Sequence, residues 1–278
     1  MATGKKKYPE KKIPLHPISK KRKKRVKILL AEDDVINQKV VTGILERLGY
    51  NVDIVSNGKD VVKALEQTSY DLVLMDCQMP EMDGYEATRE IRDRNSKVIK
   101  HKVPVIALTG NAMEGDMIQF INAGMNDYLL KPVKPKDLYD TIEKWLLKKE
   151  NPRIKKNTAQ LSCNEENIID LSILTNSLSD NKKLIKNILD DFIEYLPGKI
   201  LDLKKAFNKG NASSVRRKAH TIKGSSANVG AVYLRKIAHQ IEIAGASGDL
   251  TDVEELLSEF DKQLMELKKV IAQLNLTD

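Results

Sequence analysis

The chain has 278 residues, of which 41% are hydrophobic, so it is long enough for two ordinary domains and too apolar to be wholly disordered. Its net charge of +8 suggests a nucleic-acid partner, but residues 1–25 hold eleven Lys or Arg against one Glu, and the remaining 253 residues sum to −2. The basic charge therefore belongs to the N-terminal segment, and we expect no nucleic-acid partner for the rest of the chain.

The cysteines and the apolar runs exclude two further classes of protein. Cys77 and Cys163 are the only cysteines, so no disulfide framework is expected, and no apolar run reaches the roughly 20 residues that a membrane helix needs. Pro14 and Pro17 interrupt the apolar stretch near the N-terminus, which excludes a secretory signal. We therefore expect a cytoplasmic protein without membrane insertion.

The first half of the chain alternates between two kinds of pattern. Residues 1–25 combine Lys and Arg clusters with three prolines, which predicts a flexible arm. From residue 26, short apolar runs typical of buried parallel strands alternate with segments of helical periodicity. The predicted strands lie at 26–31, 52–55, 71–76, 103–108 and 127–131, and the predicted helices near 35–48, 58–67, 84–94, 113–123 and 135–148. Residues 26–148 are thus predicted to form an α/β domain with a doubly wound, five-stranded parallel sheet.

The second half of the chain has a different texture. Residues 149–166 are polar, contain one proline and lack periodicity, which indicates a linker. From 167 to 278 no strand pattern occurs, and apolar residues recur at helical spacing, which predicts an all-α bundle of four or five helices. Turns are predicted at Pro197-Gly198, Gly210-Asn211, Gly230 and Gly248-Asp249.

Polar residues collect where the predicted strands end. Glu32 and Asp33 follow the first strand, Asp76 ends the third, Thr109 ends the fourth and Lys131 ends the fifth. The carboxyl ends of parallel strands share one edge of a sheet, so three carboxylates converge there, and a bound Mg²⁺ is the simplest relief of their repulsion. A lysine and a hydroxyl beside them would complete a pocket for a phosphoryl group, with Asp76 as the nucleophile because it comes from the central strand.

Simpler interpretations exist for single members of this set. An acidic pair after a strand is usually a helix cap, and Asp33 or Asp34 alone fits that role. Tyr128, taken singly, fits a packed core aromatic better than a functional residue. The agreement of five strand-end residues favours the phosphoryl site over the cap.

Four segments of this half resemble a response-regulator receiver domain, of the type often attached to hybrid sensor kinases. They are AEDDVINQ (31–38), DLVLMDCQMPEMDGYEATREIR (71–92), VIALTGNA (105–112) and GMNDYLLKP (124–132). The resemblance implies a flavodoxin-like fold that binds Mg²⁺. Asp34 is a mild departure, since attached receivers often have Asn at that position.

The resemblance also implies a role for each matching residue. Asp76 corresponds to the phosphoacceptor, and the metal ligands correspond to Asp33, Asp76 and the backbone carbonyl of Gln78, with Glu32 assisting through water. Thr109 and Tyr128 correspond to the switch pair. Lys131 corresponds to the lysine that pairs with the phosphoryl group, and the Lys131-Pro132 peptide bond is expected to be cis.

A second set of residues lies on a predicted helix in the other half, within VRRKAHTIKGSSANVGA (215–231). The helical spacing predicts an exposed His220 that shares its face with Lys223 and Gly224. An imidazole beside a positive charge and empty space suits a transient phosphoryl group, although a lone histidine is more often a plain surface residue. AHTIKGSSANVGA resembles the phosphorylation helix of histidine-containing phosphotransfer (HPt) domains, which implies that His220 is the phosphoacceptor, supported by Lys223 and Gly224.

The two acceptors on one chain suggest a two-component phosphorelay. A sensor histidine kinase upstream would phosphorylate Asp76, and His220 would pass the group to a receiver domain of another response regulator downstream. Whether Asp76 feeds the histidine of its own chain or of another is open. No Gly-rich ATP lid or Walker motif occurs, so we expect no kinase activity unless the chain is the end of a longer one. The alternatives are a DNA-binding response regulator with a helical output domain and a phosphate sink that only drains a kinase.

Overall fold

A computed structural model describes residues 19, 23–110, 114–147, 168–178 and 181–274. Most of the predicted arm and the whole of the predicted linker at 149–166 lie outside these residues. The domain bounds at 26–148 and 167–278 therefore stay predictions. Within the described part of the chain, no helix is long and apolar enough to cross a membrane.

The described residues of the first half form five strands and five helices in strict alternation. In chain order they are β1 (Lys27–Ala31), α1 (Val35–Arg47), β2 (Asn51–Val55), α2 (Gly58–Gln67), β3 (Leu72–Asp76), α3 (Gly84–Arg92), β4 (Val105–Thr109), α4 (Glu114–Ala123), β5 (Asp127–Leu130) and α5 (Pro135–Leu147). All strands are parallel, in the order β2-β1-β3-β4-β5. The predicted doubly wound sheet is confirmed.

The strand order explains the apolar runs in the sequence. Every residue of β3 and β4 is buried, because both strands lie inside the sheet and helices cover both of its faces. β2 is an edge strand and has no fully buried residue. The central strands β1 and β3 therefore end in a covered environment, where a charged side chain needs a partner.

The second half of the chain is helical, as predicted. Its described helices are α6 (Ser172–Leu178), α7 (Lys182–Asn208), α8 (Ala212–Val229), α9 (Val232–Ser247) and α10 (Val253–Gln273). The turns predicted at Gly210, Gly230 and Gly248 separate consecutive helices, and all three glycines have positive φ.

The turn predicted at Pro197-Gly198 is wrong, because both residues lie inside α7. Proline lacks the N–H that would bond to the Ile193 carbonyl, and this costs a helix about 3 kcal/mol. Apolar residues at helical spacing continue on both sides of the proline, and all of them are buried in the bundle: Phe192, Leu196, Ile200 and Leu203. Burial of this stripe outweighs the lost hydrogen bond.

The cores of the two halves meet at α1. One continuous cluster of buried side chains runs from the sheet through α1 into the bundle. At Gly43 of α1, an added Cβ would lie 2.9 Å from Leu178 Cδ2 and 3.2 Å from Leu184 Cδ2. Only a residue without a side chain lets the bundle approach α1 this closely.

Lys23, which the sequence assigns to the arm, packs against the α/β domain. Its Nζ lies 5.0 Å from the centre of the Tyr50 ring and 4.7 Å from that of Tyr139. The same nitrogen donates to the Leu48 carbonyl at 3.2 Å and lies 3.6 Å from a Glu143 carboxylate oxygen. These contacts attach the end of the basic segment to α5 and to the loop before β2.

We expect Lys23→Ala to lower the free energy of unfolding of the α/β domain by about 1–2 kcal/mol, through loss of the cation–π and carbonyl contacts. Urea denaturation followed by fluorescence of Trp145, the only tryptophan, measures the effect within this domain. Lys24→Ala is the matched control, since Lys24 is exposed. Equal stabilities of the two variants would contradict the anchoring role of Lys23.

Candidate functional site

The structure brings three carboxylates together at the carboxyl edge of the sheet. Glu32 and Asp33 follow β1, and Asp76 is the last residue of β3. One oxygen from each side chain lies within 4.8 Å of the others. Asp76 is only 3% exposed and Glu32 is fully buried. The predicted convergence of Glu32, Asp33 and Asp76 therefore exists in the fold.

Lys131, at the end of β5, reaches across the same edge. Its Nζ donates to Glu32 Oε2 at 2.6 Å and to Asp76 Oδ2 at 2.8 Å. The peptide bond from Lys131 to Pro132 is cis, as expected. A buried ammonium with two charge-assisted hydrogen bonds holds both carboxylates in place.

One ammonium does not balance three carboxylates, and the pKa values show the imbalance. Burial, followed by the charge of Asp76, raises the pKa of Glu32 well above its usual range, although Lys131 opposes the shift. The same two causes raise the pKa of Asp33 to about 6. Burial disfavours the charged form of Lys131, but the Asp76 and Glu32 carboxylates outweigh burial and raise its pKa. The site holds surplus negative charge that a cation would relieve.

The other predicted site residues lie on the neighbouring strands or directly after β3. Thr109 is the last residue of the neighbouring strand β4 and is buried. The backbone N–H of Gln78 donates to Asp76 Oδ1 at 3.2 Å. Tyr128, in β5, is buried and stacks on Phe120 with a centroid distance of 6.0 Å, so it also fits the core-aromatic interpretation. The functional roles of Thr109, Gln78 and Tyr128 stay predictions.

The helix-cap alternative holds for Asp34 and not for Asp33. Asp34 Oδ1 accepts from the backbone N–H groups of Ile36 and Asn37, both at 3.0 Å, and so caps α1. Its other oxygen accepts from the Tyr195 hydroxyl of α7 at 2.8 Å. The acidic pair thus divides into a cap, Asp34, and a member of the acidic cluster, Asp33.

His220 lies on α8 with Lys223 and Gly224, as predicted, but the predicted exposure of His220 is wrong. Its side chain is only 14% exposed. Glu242, on the neighbouring helix α9, covers one side: its Oε1 lies 2.6 Å from His220 Nδ1, and its Oε2 accepts from Lys223 Nζ at 2.5 Å. On another side, a Cβ built on Gly110 would lie 3.8 Å from His220 Cε1.

Glu242 is the site residue that the sequence patterns did not reveal. Burial opposes its ionisation, but hydrogen bonds from His220 and Lys223 outweigh burial and lower the pKa of Glu242 to about 2. The carboxylate is therefore ionised and favours the tautomer of neutral His220 that has its proton on Nδ1 and its lone pair on Nε2. One feature of the sequence could have indicated Glu242. It is the only acidic residue in α9, and α9 packs against α8, the helix that holds His220.

Comparison with protein families identifies both halves. A model of the response regulator receiver domain matches residues 28–143, and a model of the Hpt domain matches residues 187–275. The chain thus contains a receiver domain followed by an Hpt domain, as its motifs indicated. Proteins with these two domains operate in two-component phosphorelay signalling.

Two relatives match different shares of the chain. The chain is 30% identical over 240 residues to the aerobic respiration control sensor protein ArcB of Escherichia coli, covering 86% of this chain and 30% of that protein. It is 44% identical over 120 residues to hybrid signal transduction histidine kinase B of Dictyostelium discoideum, covering 40% of this chain and 6% of that protein. The chain therefore spans less than a third of the length of either relative.

Among solved structures, the chain is similar to the receiver domain of a sensor histidine kinase from Pseudomonas aeruginosa PAO1. The two are 45% identical, with a TM-score of 0.41, over 44% of this chain and 98% of the other. That crystal structure is described as having a magnesium ion coordinated in its active-site cleft.

The raised pKa of Asp33 predicts how stability depends on pH without metal. The folded state holds this proton up to about pH 6, whereas an unfolded Asp releases it near 3.8, so in EDTA the free energy of unfolding falls as pH rises through this window. Asp33→Asn should reduce that fall by about 2 kcal/mol. Chemical denaturation at pH 4 and 6.5 measures it, with the exposed Asp140→Asn as control. An equal fall in wild type and Asp33→Asn would contradict the repulsion.

Proposed function

We propose that this chain is an intermediate of a cytoplasmic phosphorelay. Asp76 receives a phosphoryl group from the phosphohistidine of a sensor histidine kinase, His220 takes the group from Asp76, and a receiver aspartate of another response regulator takes it from His220. One observation supports this most: a buried Asp76 between two further carboxylates and the Lys131 ammonium, on the same chain as an imidazole aligned by Glu242.

The ligand atoms of the acidic cluster are of the type that suits a magnesium ion. Hard carboxylate oxygens are the ligands that Mg²⁺ prefers, and the surplus negative charge gives a cation a reason to bind. We propose that Asp33, Asp76 and the backbone carbonyl of Gln78 hold the ion, with Glu32 acting through a water. When bound, Mg²⁺ neutralises charge on the transferring phosphoryl group.

The residues around Asp76 supply the nucleophile and the charge balance. An oxygen of Asp76 attacks phosphorus, the P–O bond forms, and the P–N bond to the kinase histidine breaks with its electron pair returning to that nitrogen. Lys131, which now bonds to Asp76 and Glu32, is placed to pair with a phosphoryl oxygen. We assign to the Thr109 hydroxyl a hydrogen bond to a second phosphoryl oxygen. Thr109 and Tyr128 are the switch pair that responds to phosphorylation of the domain.

The residues around His220 prepare it as the next acceptor. With its proton on Nδ1 held by Glu242, the Nε2 lone pair attacks phosphorus, and the Asp76 carboxylate leaves with the P–O electron pair. The imidazolium that forms is balanced by the Glu242 carboxylate. Lys223, bound to the same carboxylate, lies beside the incoming phosphoryl group. Glu242 is thus a positioning residue, and Asp76 and His220 are the acceptors.

Transfer from a purified histidine kinase with labelled phosphohistidine tests the relay. We expect Asp76→Asn to abolish label on this chain, because neither acceptor can then be loaded. His220→Gln should retain label as a base-labile acyl phosphate and lose the acid-labile phosphohistidine. His101→Gln is the control, since His101 lies in the receiver domain and its ring contacts the Ile91 carbonyl. Label on His220 in the Asp76→Asn variant would contradict the order of transfer from Asp76 to His220. If the label is lost only to water and no receiver accepts it, the result favours the phosphate sink.

A calorimetric titration tests the magnesium site. Because Asp33 must lose its proton to bind the ion, the apparent affinity for Mg²⁺ should rise as pH passes through about 6. Asp33→Asn should lower the affinity at pH 7.5 by about tenfold or more, which corresponds to the loss of about 1.4 kcal/mol of binding free energy. Asp140→Asn should bind normally. Unchanged affinity in Asp33→Asn would remove this residue from the ligand set.

A further inference from the structure

The receiver and Hpt domains share a polar contact surface next to the acidic cluster. We call it the docking surface and define it by three residue pairs, with one member on α1 or its cap and the other on α7 or α8. The pairs are Asp34 with Tyr195, Asn37 with Asn228, and Lys39 with Asp191.

Asn37 connects this surface to the acidic cluster. Its Nδ2 donates to Glu32 Oε1 at 2.9 Å, and its Oδ1 accepts from Asn228 Nδ2 at 2.7 Å. Asn37 is 2% exposed and Asn228 is 1% exposed, so water does not replace these bonds while the domains are in contact. A shifted arrangement would bury Asn37 Oδ1 and Asn228 Nδ2 without this bond, at about 1–3 kcal/mol each, so the bond favours one register between the domains. Asn228 Oδ1 accepts no hydrogen bond from the described residues.

Two glycines permit the close approach of the two acceptor sites. A Cβ on Gly224, one turn from His220, would lie 3.4 Å from Asn37 Nδ2. A Cβ on Gly110, directly after the last residue of β4, would lie 3.6 Å from Lys223 Nζ. The face of α8 that holds His220 therefore lies against the edge of the sheet that holds Asp76.

Resting on the function proposed above, we propose that this arrangement is an intramolecular transfer state, in which Asp76 passes its phosphoryl group to His220 of the same chain. In this state the Hpt domain also shields Asp76 from the kinase and His220 from the downstream receiver. With the domains in contact, Asp76 is 3% exposed and the His220 side chain is 14% exposed. The approach of Gly110 to His220 and Lys223 carries the second part, since it places one domain over the acceptor of the other. The domains must therefore separate at the docking surface before loading and again before onward transfer.

The chain's own Hpt domain is a better occupant of this surface than that of a second copy. In the chain, 20 residues join Leu147 to Ile168, the ends of the described parts. A tether of this length gives an effective concentration near the millimolar range, far above that of a second copy at micromolar concentration.

A mixing experiment separates transfer within a chain from transfer between chains. The His220→Gln chain is loaded on Asp76 by the kinase and then mixed at 1 µM with the Asp76→Asn chain, whose His220 is intact. We expect label to appear on His220 at least tenfold more slowly than in the wild-type chain, and the wild-type rate should not change between 0.1 and 10 µM. Equal rates in the mixture and in the wild type would overturn the proposal.

A charge reversal tests the docking surface itself. Lys39→Glu places a carboxylate against Asp191 and should weaken docking, so that the kinase loads Asp76 at least threefold faster while transfer to His220 slows. The double variant Lys39→Glu with Asp191→Lys should restore both rates. Lys204→Glu is the matched control, because it reverses an ion pair of the same type, Lys204 with Asp261, inside the bundle. Failure of the double variant to restore the rates would overturn the role of the surface.

Small-angle X-ray scattering of the same full-length variants supplies a readout that needs no phosphoryl transfer. The radius of gyration should increase in Lys39→Glu and return in the double variant. If the kinase loads Asp76 but the radius and the rates are the same in all variants, the proposal fails and the relay stands. If Asp76 never takes label, the relay fails and the transfer step with it, while the scattering still decides whether the domains dock.

Discussion

The excess of negative charge at the carboxyl edge of the sheet is the constraint on which the rest of the structure depends. One oxygen each of Glu32, Asp33 and Asp76 lies within 4.8 Å of the others, and Lys131 forms ion pairs with Glu32 and Asp76. Such a cluster survives only if the strands on both sides hold its members rigidly. The all-buried strands β3 and β4 and the continuous core around them supply that rigidity.

The same excess of negative charge explains why this site binds cations and phosphoryl groups in the proposed function. A carboxylate crowded by two others is poorly stabilised in the free protein, so a cation or a phosphoryl group with its counter-charges relieves more repulsion here than at an isolated aspartate. The Hpt site has no such excess, because its one carboxylate, Glu242, is shared by His220 and Lys223. The acidic edge and the more basic helix face are complementary, which favours their alignment.

Sequence patterns predicted the elements that local periodicity and strand ends determine. The five strands and their helices followed from apolar periodicity. Because parallel strands end at one edge of a sheet, the convergence of Asp76, Glu32, Asp33 and Lys131 followed from the strand ends. The patterns failed where contacts between distant segments decide. The turn expected at Pro197 is a continuous helix because its apolar stripe is buried, and His220 is covered because α9 and the loop after β4 lie over it.

The residues that the patterns missed all act across elements. Glu242 is separated from His220 by 22 positions, and Tyr195 is separated from Asp34 by 161. No local period relates such pairs, so a single sequence gives no signal beyond residue type. Asp34 illustrates the point: its backbone contacts are those of an ordinary helix cap, which the sequence allows, while its second oxygen binds the other domain, which the sequence does not reveal.

The contact between the two domains is chemically uneven along α1, and this bears on how it opens. Near the start of α1, at Asp34, Asn37 and Lys39, the contacts are polar and water can replace them on separation. One to two turns further on, at Gly43, the contact is apolar, with Leu178 and Leu184 against the helix backbone, and water does not replace it. Arg47, at the end of α1, adds hydrogen bonds to the Asn176 and Ser177 carbonyls. For the separation proposed above, we therefore expect the start of α1 to open at a lower free-energy cost than the end. Because the acidic cluster lies beside the start of α1, the easier opening is also the one that uncovers Asp76.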